Sequence, residues 1–358
     1  MLPQLIIVKQ FHLVICLLAV LLADSSCKKS APPAPKPDAD VYVVGFSLGN
    51  NSVRVASYWK NGTLVKLTND LRESHANAIA VDGNDVYIAG YITNDHYFNT
   101  AVYWKNGVIT KLGNDTTNSK AYGIAIQDGN VYVVGDANII YTNQGKPYAS
   151  PIPTYWKNGL ATSLPSDLEY ICTNSGSIAA QGADLYILGL FEPSYNNPLV
   201  TYWKNGVVSH YANSPNSIAS ENSIFVSGPN VYVAGYTSVY TSTIPSPPSA
   251  TYWKDGMPNV VASNSIANDI KVKGTDLYMA GVTLEKFNNS IATYWKNGQT
   301  IKLADSLSYS EANALTLNGN DVYIAGMTSV GAAYWKNGIV TQLSTQYSDG
   351  FAIAVVPN

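Results

Sequence analysis

The chain has 358 residues, a formal net charge of −3 and only 13% charged residues, so it lacks the basic excess that phosphate-backbone binding requires and nucleic acid is excluded as a partner. Arginine occurs twice, as Arg54 and Arg72, while tyrosine occurs 26 times, in a background rich in Gly, Asn, Ser and Thr. This composition belongs to an all-β exported protein with polar, turn-rich loops.

The N-terminus reads as a leader. Residues 1–12 carry Lys9 and His12 and no acid, and residues 13–23 (LVICLLAVLLA) form an apolar core too short for a stable membrane span but suited to a secretory signal. Asp24-Ser25-Ser26-Cys27-Lys28-Lys29 follows. This segment resembles the lipobox of bacterial lipoproteins, in particular the Ser-Ser-Cys-Lys-Lys form of Bacteroidetes. The resemblance implies that residues 1–26 are a signal peptide and that Cys27 is the acylated N-terminus. Asp24 departs from the apolar residue of that pattern, which keeps ordinary secretory cleavage after Ser25 or Ser26 open. Residues 27–39 then form a proline-rich stalk, with four prolines in residues 30–39 favouring an extended tether. Of the three cysteines only Cys172 remains in the body, so no internal disulfide is expected there, and Cys172 reads as a small buried apolar residue.

Residues 40–358 consist of repeats. All seven tryptophans (Trp59, Trp104, Trp156, Trp203, Trp253, Trp295 and Trp335) lie in Tyr-Trp-Lys-(Asn/Asp)-Gly. Upstream of each stands (Asp/Asn)-(Val/Leu)-Tyr-x-x-Gly, whose glycines are 45, 45, 54, 46, 46 and 45 residues apart. Each unit reads as four short strands. In the second these are Ala78–Val81, Asp85–Tyr91, Ala101–Lys105 and Val108–Leu112, with Asn106-Gly107 forming a two-residue hairpin turn. Four such strands repeated every 40–50 residues are a propeller blade, and seven copies predict a seven-bladed β-propeller. The first repeat starts at its second strand, Asp40-Val41-Tyr42, and the chain ends on a first-strand pattern, Phe351–Val356. The C-terminal strand is therefore expected to complete the first blade and close the ring.

The Trp-Lys-Asn-Gly…Leu pattern resembles the HAF-type extracellular repeats of bacterial proteins over residues 40–358. It implies an exported propeller-like array and carries no activity, cofactor or functional residue with it.

The repeats act as an internal control: a residue present in every blade is scaffold, and one that breaks the pattern is a candidate for function. The tryptophans are then expected between blades rather than as a ring of sugar-stacking platforms. The lysine after each is expected at a strand end with its head in water, and the Asp or Asn opening the second strand is turn chemistry. Because strands alternate in direction, the variable loops share one face. The long segments 137–153, 191–200 and 237–250 on it are rich in Tyr, Asn, Ser and Pro, making Tyr97, Tyr141, Tyr148, Tyr195 and Tyr240 candidate contacts. Just before the first strand of each blade the aligned residues are His75, Lys120, Asn174, Ser220, Ile266, Glu311 and Asp349. Ring closure would bring Glu311, Asp349, His75 and Lys120 together at the mouth of the central channel, where two carboxylates and a His could bind a polar ligand, hold a divalent cation or act in acid/base chemistry. No metal or cofactor is assigned from this pattern.

Three functions fit: a non-catalytic binding module for a glycan or an envelope protein, a propeller glycosidase or lyase, and a structural subunit of an envelope complex. The sequence contains no sialidase-type Asp box, no nucleophile elbow and no metal-ligand spacing of His, which favours the binding module. A monomer tethered to the outer membrane only through its lipid, periplasmic or surface-exposed, is the expected setting.

Overall fold

The computed structural model describes residues 38–143, 146–165, 171–172, 176–191, 199–211, 217–241, 244–285, 289–305 and 308–358. The leader, Cys27 and the stalk as far as residue 37 lie outside them, as does Tyr195.

Residues Ala39–Asn358 form one unit of seven antiparallel sheets, one per repeat. The second blade shows the plan: Ser74–Asp82 is innermost, then Asp85–Thr93, Asn99–Lys105 and Val108–Lys111 outward. The ring closes as the sequence predicts. Asp349–Pro357 pairs with Ala39–Leu48, from Ala39 opposite Pro357 to Phe46 opposite Asp349. The C-terminus thus supplies the innermost strand of the first blade and removes the free edge there. The fourth blade departs from the plan, because two short pieces, Ile171–Cys172 and Ile178–Gln181, both pair with Asp184–Phe191.

All seven tryptophans are at most 1% exposed and pack across blade boundaries. Trp104 sits with Val44 and Ala56 of the first blade, Trp59 with Ala325 and Ala332 of the seventh, and Trp335 with Ala280 and Ala292 of the sixth. The small residues opposite make room for the indole, and burial this complete rules out sugar stacking on the tryptophans. A second clamp ties neighbours together. Ser74, Ser119, Ser310 and Ser348 each accept, at Oγ, a 2.9 Å hydrogen bond from a backbone N–H of the preceding blade. Ser348 makes this bond across the closure.

The face with short turns is uniform for a physical reason. Asn106 and Gly107 have φ of 50° and 81°, the two positive values a type I′ hairpin needs. The Asn106 side chain accepts from Val86 N (2.9 Å) and donates to Asp85 Oδ1 (2.7 Å), while Lys105 Nζ lies 2.8 Å from Asp85 Oδ2 and 5.1 Å from the Tyr87 ring centre. The repeated lysine lies exposed at the strand end, as expected, and is in addition ion-paired here and in four other blades. In the fifth blade the pair is inverted, with Asn230 opening the strand and Asp255 accepting from Val231 N.

Two boundaries also differ from the sequence reading. The innermost strands start earlier, at Ser74, Ser119, Ser265 and Ser310, so the mouth residues lie within them rather than before them. Residues 137–143 and 146–153 form a hairpin arm rather than a loop: they stay paired from Ala137 opposite Ile152 to Asn143 opposite Lys146. The run Ile139-Ile140-Tyr141-Thr142 has high strand preference. Pro147, Pro151 and Pro153 occupy alternate positions, so their missing N–H groups all fall on the side away from that partner. Likewise the strand Asn230–Thr241 runs through 237–241, carrying Tyr240, which pairs with Pro245.

Candidate functional site

Six innermost strands carry a β-bulge near the variable face, at Asn77, Tyr122, Asn222, Asn268, Asn313 and Phe351. These extra residues line the central channel. Where the bulge is Asn, its amide reaches the next blade: Asn77 Nδ2 donates to Ala121 O (2.8 Å), Asn222 to Ala267 O (2.8 Å), Asn268 to Ala312 O (3.0 Å) and Asn313 to Gly350 O (3.1 Å). The glycine of the repeat motif belongs to the same device. A Cβ at Gly90, Gly135, Gly281 or Gly326 would run into the carbonyl oxygen of His75, Lys120, Ile266 or Glu311. The motif glycine is what lets the residue two before each bulge sit at the mouth.

The mouth is a cavity of about 630 Å³ lined by residues of several blades, including His75, Tyr91, Lys120, Tyr122, Glu311 and Phe351. Three of the four residues expected to converge, His75, Lys120 and Glu311, do line one cavity. Asp349 lies beside it, buried, and its Oδ1 accepts from Asn313 Nδ2 at 2.9 Å. Burial, with the Glu311 carboxylate next in weight, pushes the Asp349 carboxyl up to about 7. Glu311 itself accepts from the Tyr309 hydroxyl. Among the described residues no group of three or more His, Cys, Asp and Glu side chains could hold a metal ion.

The first and third blades break the Asn pattern, with Phe351 and Tyr122, and together with the second they build an aromatic wall. The His75 ring stacks on Tyr91 (centres 4.9 Å apart, 13° between planes) and lies near-parallel to Phe351 at 6.0 Å, with Phe46 at 5.4 Å. Lys120 Nζ caps the Tyr91 ring at 4.8 Å, and the Arg54 guanidinium lies 5.2 Å from Phe46. His75 is 8% exposed and its Nε2 is 3.1 Å from Glu73 Oε1. Burial lowers its pKa, outweighing Glu73, so the imidazole is neutral at pH 7. The same burial holds the Tyr91 hydroxyl up at about 12.

The third blade adds a group the sequence reading missed. The residue following the motif glycine is Phe46, Tyr91, Leu190, Tyr236, Val282 or Met327 elsewhere, but Asp136 here. Asp136 is 8% exposed, stands opposite Lys120 in the strand register and is hydrogen-bonded to Tyr122. Burial raises its carboxyl to about 7 against the opposing pull of Tyr122 and Lys120. Reading that column, and the bulge column in which Tyr122 replaces Asn, would have exposed both residues.

Of the loop tyrosines, Tyr97 stands apart from the mouth lining. Tyr97 is 76% exposed with φ of 62°, a left-handed conformation that a turn around Asn94 holds in place. The Arg72 guanidinium lies 5.0 Å from its ring centre. Tyr141 and Tyr148 face each other in the hairpin arm register, and Tyr240 lies on the extended strand of the fifth blade.

No protein-family model matches this sequence, and comparison with curated proteins finds no relative. Among solved structures the fold is shared. A puromycin-hydrolyzing peptidase of Mycobacterium tuberculosis is similar over 90% of this chain at 11% identity, with a TM-score of 0.55. The chain spans about half of that peptidase, 53% of its length. A polysaccharide lyase of family PL25, an ulvan lyase, is similar over 87% of this chain and 92% of its own, at 9% identity and a TM-score of 0.51. At such identities the likeness concerns the propeller fold alone.

Proposed function

We propose that this protein is a non-catalytic, extracytoplasmic binding propeller that takes a saccharide at the mouth of its central channel. The observation that carries the reading is the composition of the mouth. Tyr122 and Phe351 supply ring surfaces to a cavity whose remaining wall is largely amide, with Lys120 and Glu311 as charged groups. Aromatic faces pack against the C–H faces of sugar rings, while a few convergent polar groups fix the hydroxyls. His75 is neutral and wedged between rings, a placement suited to holding a wall rigid. The leader-like segment and the lipobox-like Cys27 support export and lipid anchoring to the outer membrane, with the proline-rich stalk as tether. An envelope protein as ligand is the competing occupant of the same face.

Calorimetric titration of the full chain against a panel of acidic and neutral oligosaccharides tests the reading. Binding to at least one saccharide class, weakened tenfold or more in Tyr122→Ala, is the expected result. Saccharide binding unaffected by both Tyr122→Ala and His75→Ala would refute a site at the mouth. Turnover of the bound saccharide would refute the non-catalytic assignment and return the propeller lyase or glycosidase. Replacing Cys27 by Ser should move the protein from the membrane to the soluble fraction of the cell envelope.

A further inference from the structure

We infer that the saccharide is a chain of at least two linked sugars, because the mouth continues into a second, polar subsite between the second and third blades. This rests on the saccharide reading above. A cavity of about 280 Å³ lies there, and it shares Lys120 and Tyr122 with the mouth. Its other lining residues include Asn99, Asn118, Ser119, Asp136 and Asn138. The two cavities therefore adjoin along one pair of side chains, with Asp136 lining the second.

The wall of this subsite is built to meet hydroxyls. Asn118 is held at both ends of its peptide and side chain: its Oδ1 accepts from Asn99 N at 2.9 Å and its carbonyl accepts from Asn138 N at 2.8 Å. The fixed amide leaves its Nδ2 hydrogens as donors toward the pocket. Asp136 and Tyr122, themselves hydrogen-bonded, add an acceptor and a hydroxyl, and the Lys120 ammonium adds a cation on the shared edge. Donors and acceptors of several kinds within one small pocket match the alternating hydroxyls of a sugar ring. The mouth presents aromatic faces instead, so the two subsites divide the work of stacking one ring and hydrogen-bonding the next.

The pattern of the repeats points the same way. Tyr122 and Asp136 are two departures from their aligned columns, both in the third blade, and Lys120 stands opposite Asp136 in the strand register. The scaffold does not require Tyr122, since the second, fifth, sixth and seventh blades close the same bulge with Asn.

The test uses the full chain and oligogalacturonides and xylo-oligosaccharides of one to five sugars, titrated by calorimetry. Affinity should rise roughly tenfold or more between one sugar and two or three, the gain expected of a few new hydrogen bonds. Asn118→Ala and the near-isosteric Asp136→Asn should each reduce that rise while leaving the shortest ligand's affinity within about twofold. Circular dichroism confirms folding, and Asp136→Asn covers the case in which Asn118→Ala perturbs the Asn99 contact. His75→Ala should weaken all lengths alike. Affinity independent of length, or a rise untouched by both third-blade variants, overturns the second subsite while the mouth reading stands. Failure of every oligosaccharide to bind the unmodified chain overturns both.

Discussion

Replacing Asp136 by Asn should stabilise the protein, and increasingly so as pH rises. The wild-type carboxyl is buried and titrates at about 7, against 3.8 for an exposed aspartate. Below pH 4 both the folded and the unfolded chain hold this proton. Between about 4 and 7 only the folded chain does, so stability falls as pH rises; above 7 the folded chain carries a buried carboxylate and the loss is complete. Each tenfold ratio between the two dissociation constants corresponds to about 1.4 kcal/mol, which sets the loss at no more than about 4 kcal/mol, water reaching the pocket reducing it. Asn keeps an acceptor for the Tyr122 hydroxyl and cannot ionise. Urea unfolding of both proteins at pH 4.5, 6, 7 and 8.5 reads the difference directly. Carboxylates held low by hydrogen bonds, Asp85 by Lys105 and Asp321 by Asn337 and Lys336, cancel in the comparison because both proteins contain them. A stability difference that is flat with pH, or that shrinks as pH rises, would refute the placement of Asp136 as a buried acid.

Other perturbations test the frame. Trp104→Ala should lower stability by about 3–5 kcal/mol through the cavity left between the first and second blades, seen as a shifted urea midpoint with little change in slope. Asn106→Ala removes a backbone cap and puts a residue that tolerates positive φ less well than Asn at φ of 50°, costing about 1 kcal/mol or more by thermal unfolding, while Asp85→Asn should barely move the midpoint because its ion pair is exposed. Gly90→Ala forces the His75 carbonyl away from the mouth and should weaken saccharide binding as well as stability. Ending the chain at residue 347 strips Ala39–Leu48 of its partner strand and should yield aggregated protein by light scattering.

Much of this fold is legible because each blade must solve the same problems with the same residues. Trp has to fill an inter-blade gap seven times, and Asn-Gly has to turn the same hairpin, so both repeat with a fixed period that survives without any relative for comparison. The offset between Asp40-Val41-Tyr42 and Phe351–Val356 states the ring closure outright. The site was only half legible. Alignment of the repeats placed His75, Lys120 and Glu311 at one mouth, because a regular ladder carries register from blade to blade. It missed Tyr122 because a bulge inserts one residue and reverses the inward–outward alternation on which strand reading depends. Asp136 escapes that alignment because it follows the motif glycine on the second strand, outside the column just before the first strand. The segment 137–153 reads as a loop in the sequence because it is rich in Tyr, Asn, Ser and Pro, whereas prolines at alternate positions leave the pairing with the neighbouring strand intact.

The central claim is that the channel mouth is a saccharide site, and titration of the full chain with the oligosaccharide panel, in parallel with Tyr122→Ala, tests it most directly. The account predicts micromolar-to-millimolar binding of at least one saccharide class, lost on removal of the Tyr122 ring. Binding that persists undiminished in Tyr122→Ala and His75→Ala, or no saccharide binding at all alongside capture of an envelope protein on the same face, would contradict it.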